Sequence, residues 1–255
     1  MDRFCVAWIE EGDEVGLREA RCTVRAAVLD RAALYASLAC PSIQLRSRLL
    51  RVTTRERLVG LAAVVDRVFP FRSVPVWGSI PGAVRALLGE VEKPFLVLAP
   101  QAQWYEVGRC GGKRVLEEVQ MARLRPEPLP EPDPGLSRLD DPDELRELLG
   151  SRLSTAHLEA GPFLGIRDEG GHLLAAGGVQ LVTDRVAQIA YMWTREGNRR
   201  EWLATRILSG MIRELEVPGR RLVLQVRADN AAAIELYARL GFRGRARTAL
   251  FTFDG

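Results

Sequence analysis

Residues 222–242 read Leu-Val-Leu-Gln-Val-Arg-Ala-Asp-Asn-Ala-Ala-Ala-Ile-Glu-Leu-Tyr-Ala-Arg-Leu-Gly-Phe. Leu222 to Val226 is a short apolar run, too brief for a helix and suited to a buried strand. The period then changes. Asp229 or Asn230 can cap a helix whose apolar positions Ala233, Ile234, Tyr237 and Leu240 recur at three and four residues. Gly241 suits the left-handed residue that ends such a helix. The order is strand, cap, helix, glycine stop.

This block resembles the acyl-CoA-binding half of the GNAT superfamily of N-acetyltransferases, where a strand leads to Asn, a Leu-Tyr helix and Gly-Phe. Asn230, Ala233, Leu236, Tyr237, Gly241 and Phe242 carry the resemblance, all six in register.

Upstream, the elements follow the order that this resemblance implies. Asp140 to Leu149 has amphipathic helical spacing. Phe163–Ile166 and Leu173–Val182 read as strands joined by a turn containing Gly170 and Gly171, and Val186–Thr194 as a third strand. A helix is expected from about Arg199 to Leu215, with Leu203, Ile207, Met211 and Leu215 four apart, and Arg247 to Phe253 as a closing strand. The expected fold class is α/β (α+β): a GNAT domain with a mixed sheet over 136–255, preceded by a smaller, degenerate GNAT-like and non-catalytic unit over 1–124. Gly161-Pro-Phe-Leu-Gly-Ile and Leu174-Ala-Ala-Gly-Gly-Val narrow the resemblance to two-part bacterial proteins related to glycine N-acyltransferases.

Between the halves, residues 125–135 place a proline at every second position from Pro126 to Pro134. Such a tract has few amide donors and favours polyproline II, a semi-rigid strap of roughly 28 Å at about 3.1 Å per residue. It is expected to be a linker; a recognition motif for a proline-reading partner is the alternative. In the first half, strands are expected at Phe4–Ile9, Arg48–Thr53, Leu58–Val65 and Phe95–Ala99, and helices at Arg31–Leu38 and Pro81–Leu88. Trp77, Trp104 and Tyr105 line either a core or a pocket.

Composition bounds the function. The 255 residues are 47% hydrophobic and 27% charged, as in a folded soluble protein, and the net charge of +3 does not favour nucleic-acid binding. An RNA-associated role remains a third reading, on the arginines between Arg239 and Arg247. Cys5, Cys22, Cys40 and Cys110 form no Cys-x-x-Cys pair, so no metal site is expected, and the longest apolar run is too short to span a bilayer. A cytoplasmic monomer or homodimer is expected, with no membrane partner.

The resemblance implies acetyl-CoA or another acyl-CoA as cofactor and a small amine or amino-acid derivative as acceptor. It implies an amine attacking the thioester directly, with Tyr237 as general acid. Met192, Trp193 and Thr194 would offer main-chain groups to the pantetheine arm, and Asn230 would bond it or cap its helix. The family's pyrophosphate turn, Arg/Gln-x-x-Gly-x-Gly/Ala, aligns with Arg199, Arg200, Glu201, Trp202, Leu203 and Ala204. Trp202 stands where the family has glycine, and Glu201 adds negative charge. Asn198 and Glu201 have capping-box spacing, so the helix is expected to satisfy its own first amides. Arg195, Arg206 and Arg227 would form a positive rim. His157, Glu159, Gln188 and Tyr191 are the alternatives for a general base, and His172 is expected to be exposed. A degenerate GNAT-fold module that binds acyl-CoA or a protein partner without turnover is the rival reading.

Overall fold

In a computed structural model, residues 4–25, 39–55, 57–68, 71–149, 155–199 and 202–254 are described. They divide into two compact units, 1–119 with 246–255, and 120–245.

In the first unit the strands are β1 (Cys5–Ile9), β2 (Ser47–Thr54), β3 (Arg57–Val65), β4 (Ser73–Gly78) and β5 (Phe95–Pro100). Each is antiparallel to the next except β4 and β5, which run parallel. Thr248 to Phe253 lies antiparallel to β5. The helices are α1 (Glu14–Arg25), α2 (Pro41–Gln44), α3 (Ala83–Gly89) and α4 (Trp104–Arg109). α3 buries Ala83, Val84, Leu87 and Leu88 on a core that includes Leu50, Val64, Val97 and Phe251. The helix expected at 31–38 lies outside the described residues.

A strand β6 (Lys113–Arg123) leads into the second unit, followed by β7 (Leu136–Arg138), helix α5 (Pro142–Leu149), helix α6 (Thr155–Ala160), β8 (Phe163–Arg167), β9 (Leu173–Val182) and β10 (Val186–Thr194). Helix α7 (Leu203–Leu215), β11 (Arg221–Arg227), helix α8 (Ala231–Arg239) and β12 (Phe242–Phe253) complete the chain. The order within this unit is β7-β8-β9-β10-β11, antiparallel throughout except for the parallel pair β10 and β11. α7 buries Leu203, Ile207, Leu208, Met211, Ile212 and Leu215. A second cluster joins Leu139, Leu145, Leu149, Phe163, Leu173 and Ala176.

Two expectations are corrected here. The helix expected from Arg199 begins at Leu203, because Glu196–Asn198 forms a separate 3-10 turn and Arg199 is extended. The closing strand begins at Phe242 rather than Arg247. The proline-rich tract lies along α7, tied by Arg206 to Asp133 and by Arg213 to the Pro130 carbonyl.

Candidate active site

Two parallel strands that cross over through a helix normally stay paired along their shared length. Here they part. β10 and β11 pair only from Val186–Arg221 to Ile189–Leu224, yet β10 runs on to Thr194 and β11 to Arg227. The facing edges of Ala190–Thr194 and Gln225–Arg227 therefore present main-chain donors and acceptors to each other across a gap instead of to a strand.

The cause is local. On its other side, β10 pairs with β9 at Ala190–Gly178 and again at Trp193–Ala176, so two residues, Tyr191 and Met192, oppose one. Tyr191 takes φ 58°, a left-handed conformation that costs a residue with a Cβ about 1–2 kcal/mol. The bulge turns neighbouring side chains to opposite faces: Met192 meets Gly177 beside Ile207 of α7, whereas Tyr191 and Trp193 pack on the Leu145–Phe163 cluster. The spacing of residues gave no sign of this bulge.

β11 leads directly into α8. Asn230 Oδ1 accepts the Ala233 amide at 3.2 Å, so this side chain caps the helix as expected and keeps its amide nitrogen for other partners. Gly241 ends the helix at φ 88°, where the carbonyl of Arg125 occupies the place a Cβ would need. Tyr237 is 9% exposed, its ring tilted against Phe242 at 6.3 Å. Burial raises its pKa above the ordinary phenol value, so it is a proton donor throughout the neutral range.

Asn198 is not the N-cap that its spacing suggested: Trp202 is the N-cap of α7, at φ 60°, and its side chain makes no capping hydrogen bond. Asn198 belongs to the preceding 3-10 turn, and Arg200 and Glu201 lie outside the described residues. At the start of α7, Leu203 is buried and Ala204 partly so. The Trp202 indole is 64% exposed and stacks beneath the Arg239 guanidinium at 5.5 Å.

The positive rim is smaller than expected. Arg206 is engaged by Asp133, and Arg227 by Asp229 at 2.7 Å, which lowers both carboxyl pKa values through those hydrogen bonds. Arg199 faces Glu196 at 3.8 Å with both side chains exposed, a pair of little energetic weight. Among the general-base alternatives, Gln188 donates to Gln180 at 2.7 Å and Gln225 at 3.2 Å. His157 is buried against Tyr191 at 5.4 Å, and burial drives its pKa down to about 4, so it is neutral. Glu159 is exposed and lines a cavity of about 470 Å³ with Leu158 and Phe163. His172 is exposed and turns onto Asp168 at 3.3 Å. Among the described residues no group of histidine, cysteine and carboxylate side chains is placed to hold a metal, and no helix is long and apolar enough to cross a membrane.

Residues 163–251 match the family model described as FR47-like protein. No curated protein matches the chain. Among solved structures, a GCN5-related N-acetyltransferase from Sphaerobacter thermophilus is 17% identical, with 99% of this chain and 96% of that one covered at a TM-score of 0.65. A tandem GNAT protein from the clavulanic acid biosynthesis pathway is 16% identical, with 98% of each chain covered and a TM-score of 0.58. A GCN5-related N-acetyltransferase from Kribbella flavida is 16% identical over 92% of this chain and 96% of that one, with a TM-score of 0.58. The parted strands, the helix that crosses between them and the capped Tyr237 helix thus belong to a chain with the GNAT acetyltransferase fold.

Proposed function

We propose that this protein is an acetyl-CoA-dependent N-acetyltransferase that acylates the primary amine of a small molecule or amino-acid derivative. Catalysis is assigned to residues 136–255, with 1–124 as a non-catalytic unit and 125–135 as the linker, in the manner of two-part proteins related to glycine N-acyltransferases. The observation that carries the reading is the parting of β10 from β11 after Ile189 and Leu224. It leaves strand edges that suit an extended chain bearing amides, and the N-terminus of α7 suits an anion.

Acetyl-CoA supplies an acetyl group activated as a thioester. Main-chain groups of Met192, Trp193 and Thr194, with the Asn230 amide, would hold its pantetheine arm; Arg199, Arg200 and the amides of Trp202, Leu203 and Ala204 would hold its pyrophosphate. Strand amides polarise the carbonyl under attack by the amine. Tyr237, kept neutral by burial, would give its proton to the departing sulfur, and the proton that the amine nitrogen sheds to solvent would restore the phenol.

Calorimetry with acetyl-CoA tests binding, and release of free thiol in the presence of amine acceptors tests turnover. Absence of binding defeats the reading. Binding without thiol release across amines, amino acids and polyamines favours the rival, a module that holds acyl-CoA without turning it over; the tryptophan at the phosphate turn is what speaks for that rival.

A further inference from the structure

The gap between β10 and β11 has a closed end at Ile189 and Leu224, and three glutamines stand in a row across it. Gln188 precedes Ile189 on β10, and Gln225 is the first residue of β11 beyond the pairing. Gln180 is the extra residue of β9, left out between the pairs Gln188–Leu181 and Ile189–Val179. Side chains alternate along a strand, so Gln188 and Gln225 lie on the opposite face from Ile189 and Leu224. It is the face of Ala190 and its partner Gly178, where a Cβ would meet the Phe163 ring. On the other face Ile189 and Leu224 are each 2% exposed, closed in by the core. An amine that attacks a thioester held in the gap therefore comes in over the glutamine row.

The hydrogen bonds give this row a direction. Gln188 is 5% exposed, and its one NH2 group serves both neighbours: Nε2 donates to Gln180 Oε1 at 2.7 Å and to Gln225 Oε1 at 3.2 Å. A carboxamide carries two donors on nitrogen and its acceptor on oxygen. Both neighbours thus turn their oxygens in towards Gln188, and the NH2 group of Gln180 is turned away from it. Gln180 is partly exposed, and its nitrogen opens to the surface. The two outer oxygens are no farther apart than the two bonds together, a span that an amine and an oxygen on neighbouring carbons can bridge.

We infer that this row selects the acceptor. Resting on the acetyltransferase reading above, Gln180 donates to a carboxylate or carbonyl oxygen that the acceptor carries beside its amine, and Gln188 is the positioning residue that aims it. The preferred acceptors are α-amino acids and their derivatives, and simple amines and polyamines, which bring no oxygen to this donor, are disfavoured.

The test is acetyl transfer by the full chain, followed by thiol release, to glycine, leucine and phenylalanine, each beside its amide and its decarboxylated amine at equal concentration of free base. KM for the acids is expected about tenfold or more below that for methylamine, isopentylamine and phenethylamine. Amides taken like the acids identify the shared carbonyl oxygen, and amides left behind identify the carboxylate charge. Gln180→Glu keeps an acceptor for Gln188 but exchanges the outward donor for a negative charge, so the preference should reverse. Gln188→Leu leaves Gln180 free to turn, so the preference should shrink towards parity while acetyl-CoA affinity stays within about twofold, a split that general loosening of the sheet would not give. Absence of acetyl-CoA binding, or binding without transfer to any acceptor, defeats the underlying reading and this inference with it. Where transfer occurs, amines preferred over their acids, or a preference that both variants leave unchanged, overturns this inference alone.

Discussion

The two units build the same sentence of elements with opposite endings. In each, a parallel pair is joined through a helix, and the strands part: β4 and β5 pair from Ser73–Leu96 to Pro75–Leu98, then run on to Gly78 and Pro100. In each, that helix starts from a left-handed residue, Gly82 at φ 89° and Trp202 at φ 60°. The surroundings of that residue differ. In the first unit the buried Gln103 donates its amide to the Gly78 carbonyl at 2.9 Å and so stitches the end of β4, while the Phe4 ring lies 2.8 Å from where a Cβ of Gly82 would be. In the second unit the Trp202 side chain makes no capping hydrogen bond and turns outward onto Arg239. A glycine starts the helix in the unit whose turn is packed shut, and a tryptophan in the other. A motif is thus worth only as much as the space in front of it.

The sharpest way to break the comparison is chemical. Tyr237→Phe should lower turnover by about 100-fold or more with acetyl-CoA affinity within about twofold, while Tyr105→Phe on the 81% exposed tyrosine of α4 should change neither. Equal losses of rate and affinity would make Tyr237 architectural.

Acid is the next lever. Both histidines of the sequence, His157 and His172, lie in the second unit. With a folded pKa of about 4 against an ordinary 6.5, His157 is buried neutral, and the unfolded chain binds the extra proton. Its contribution is complete above pH 6.5 and falls away as pH drops towards 4, by about 3 kcal/mol at roughly 1.4 kcal/mol per unit. Urea unfolding from pH 7 to 4 should show this loss in transitions reporting the second unit. A His157→Leu variant whose stability fell just as steeply would remove the imidazole as the cause.

Smaller effects probe the shared helix starts. Gly82→Ala should cost about 2 kcal/mol, because it adds left-handed strain to a contact with Phe4, read as a lower denaturation midpoint. Gln103→Leu should cost about 1 kcal/mol with no effect on acetyl-CoA binding, since it unpicks one hydrogen bond in the first unit only. At the low end, Trp202→Gly should be stabilising or neutral, within about 1 kcal/mol, because relief of left-handed strain offsets the freedom glycine gains when unfolded. A clear destabilisation would show that stacking on Arg239 outweighs the strain.

Much of this was legible in the sequence, for reasons that are local. Leu222 to Gly241 carries its strand, cap and stop within hydrogen-bonding reach along the chain, so the sequence sufficed for Asn230 and Gly241. The strands Leu173–Val182 and Val186–Thr194 were equally plain from their apolar runs. What eluded it depends on distant partners. The first unit's Ser73–Gly78 strand contains Pro75, which argues against a strand until its neighbours are known. The Tyr191 bulge has no composition of its own, because a left-handed tyrosine looks like any other. Capping-box spacing at Asn198 misled because that residue ends a separate 3-10 turn and the helix begins only at Leu203.

One buried cation carries a further consequence. Arg123, at the end of β6, reaches Glu216 at 2.6 Å, the Leu240 carbonyl at 3.0 Å and the Glu127 carbonyl at 3.0 Å. Two of these acceptors lie some ninety or more residues downstream. During synthesis the guanidinium must stay hydrated until both have left the ribosome, since entombing it alone would be prohibitive. Closure of this region therefore waits on the segments that carry Glu216 and Leu240, and nascent chains stopped short of Leu240 should remain open to proteases around residues 120–127.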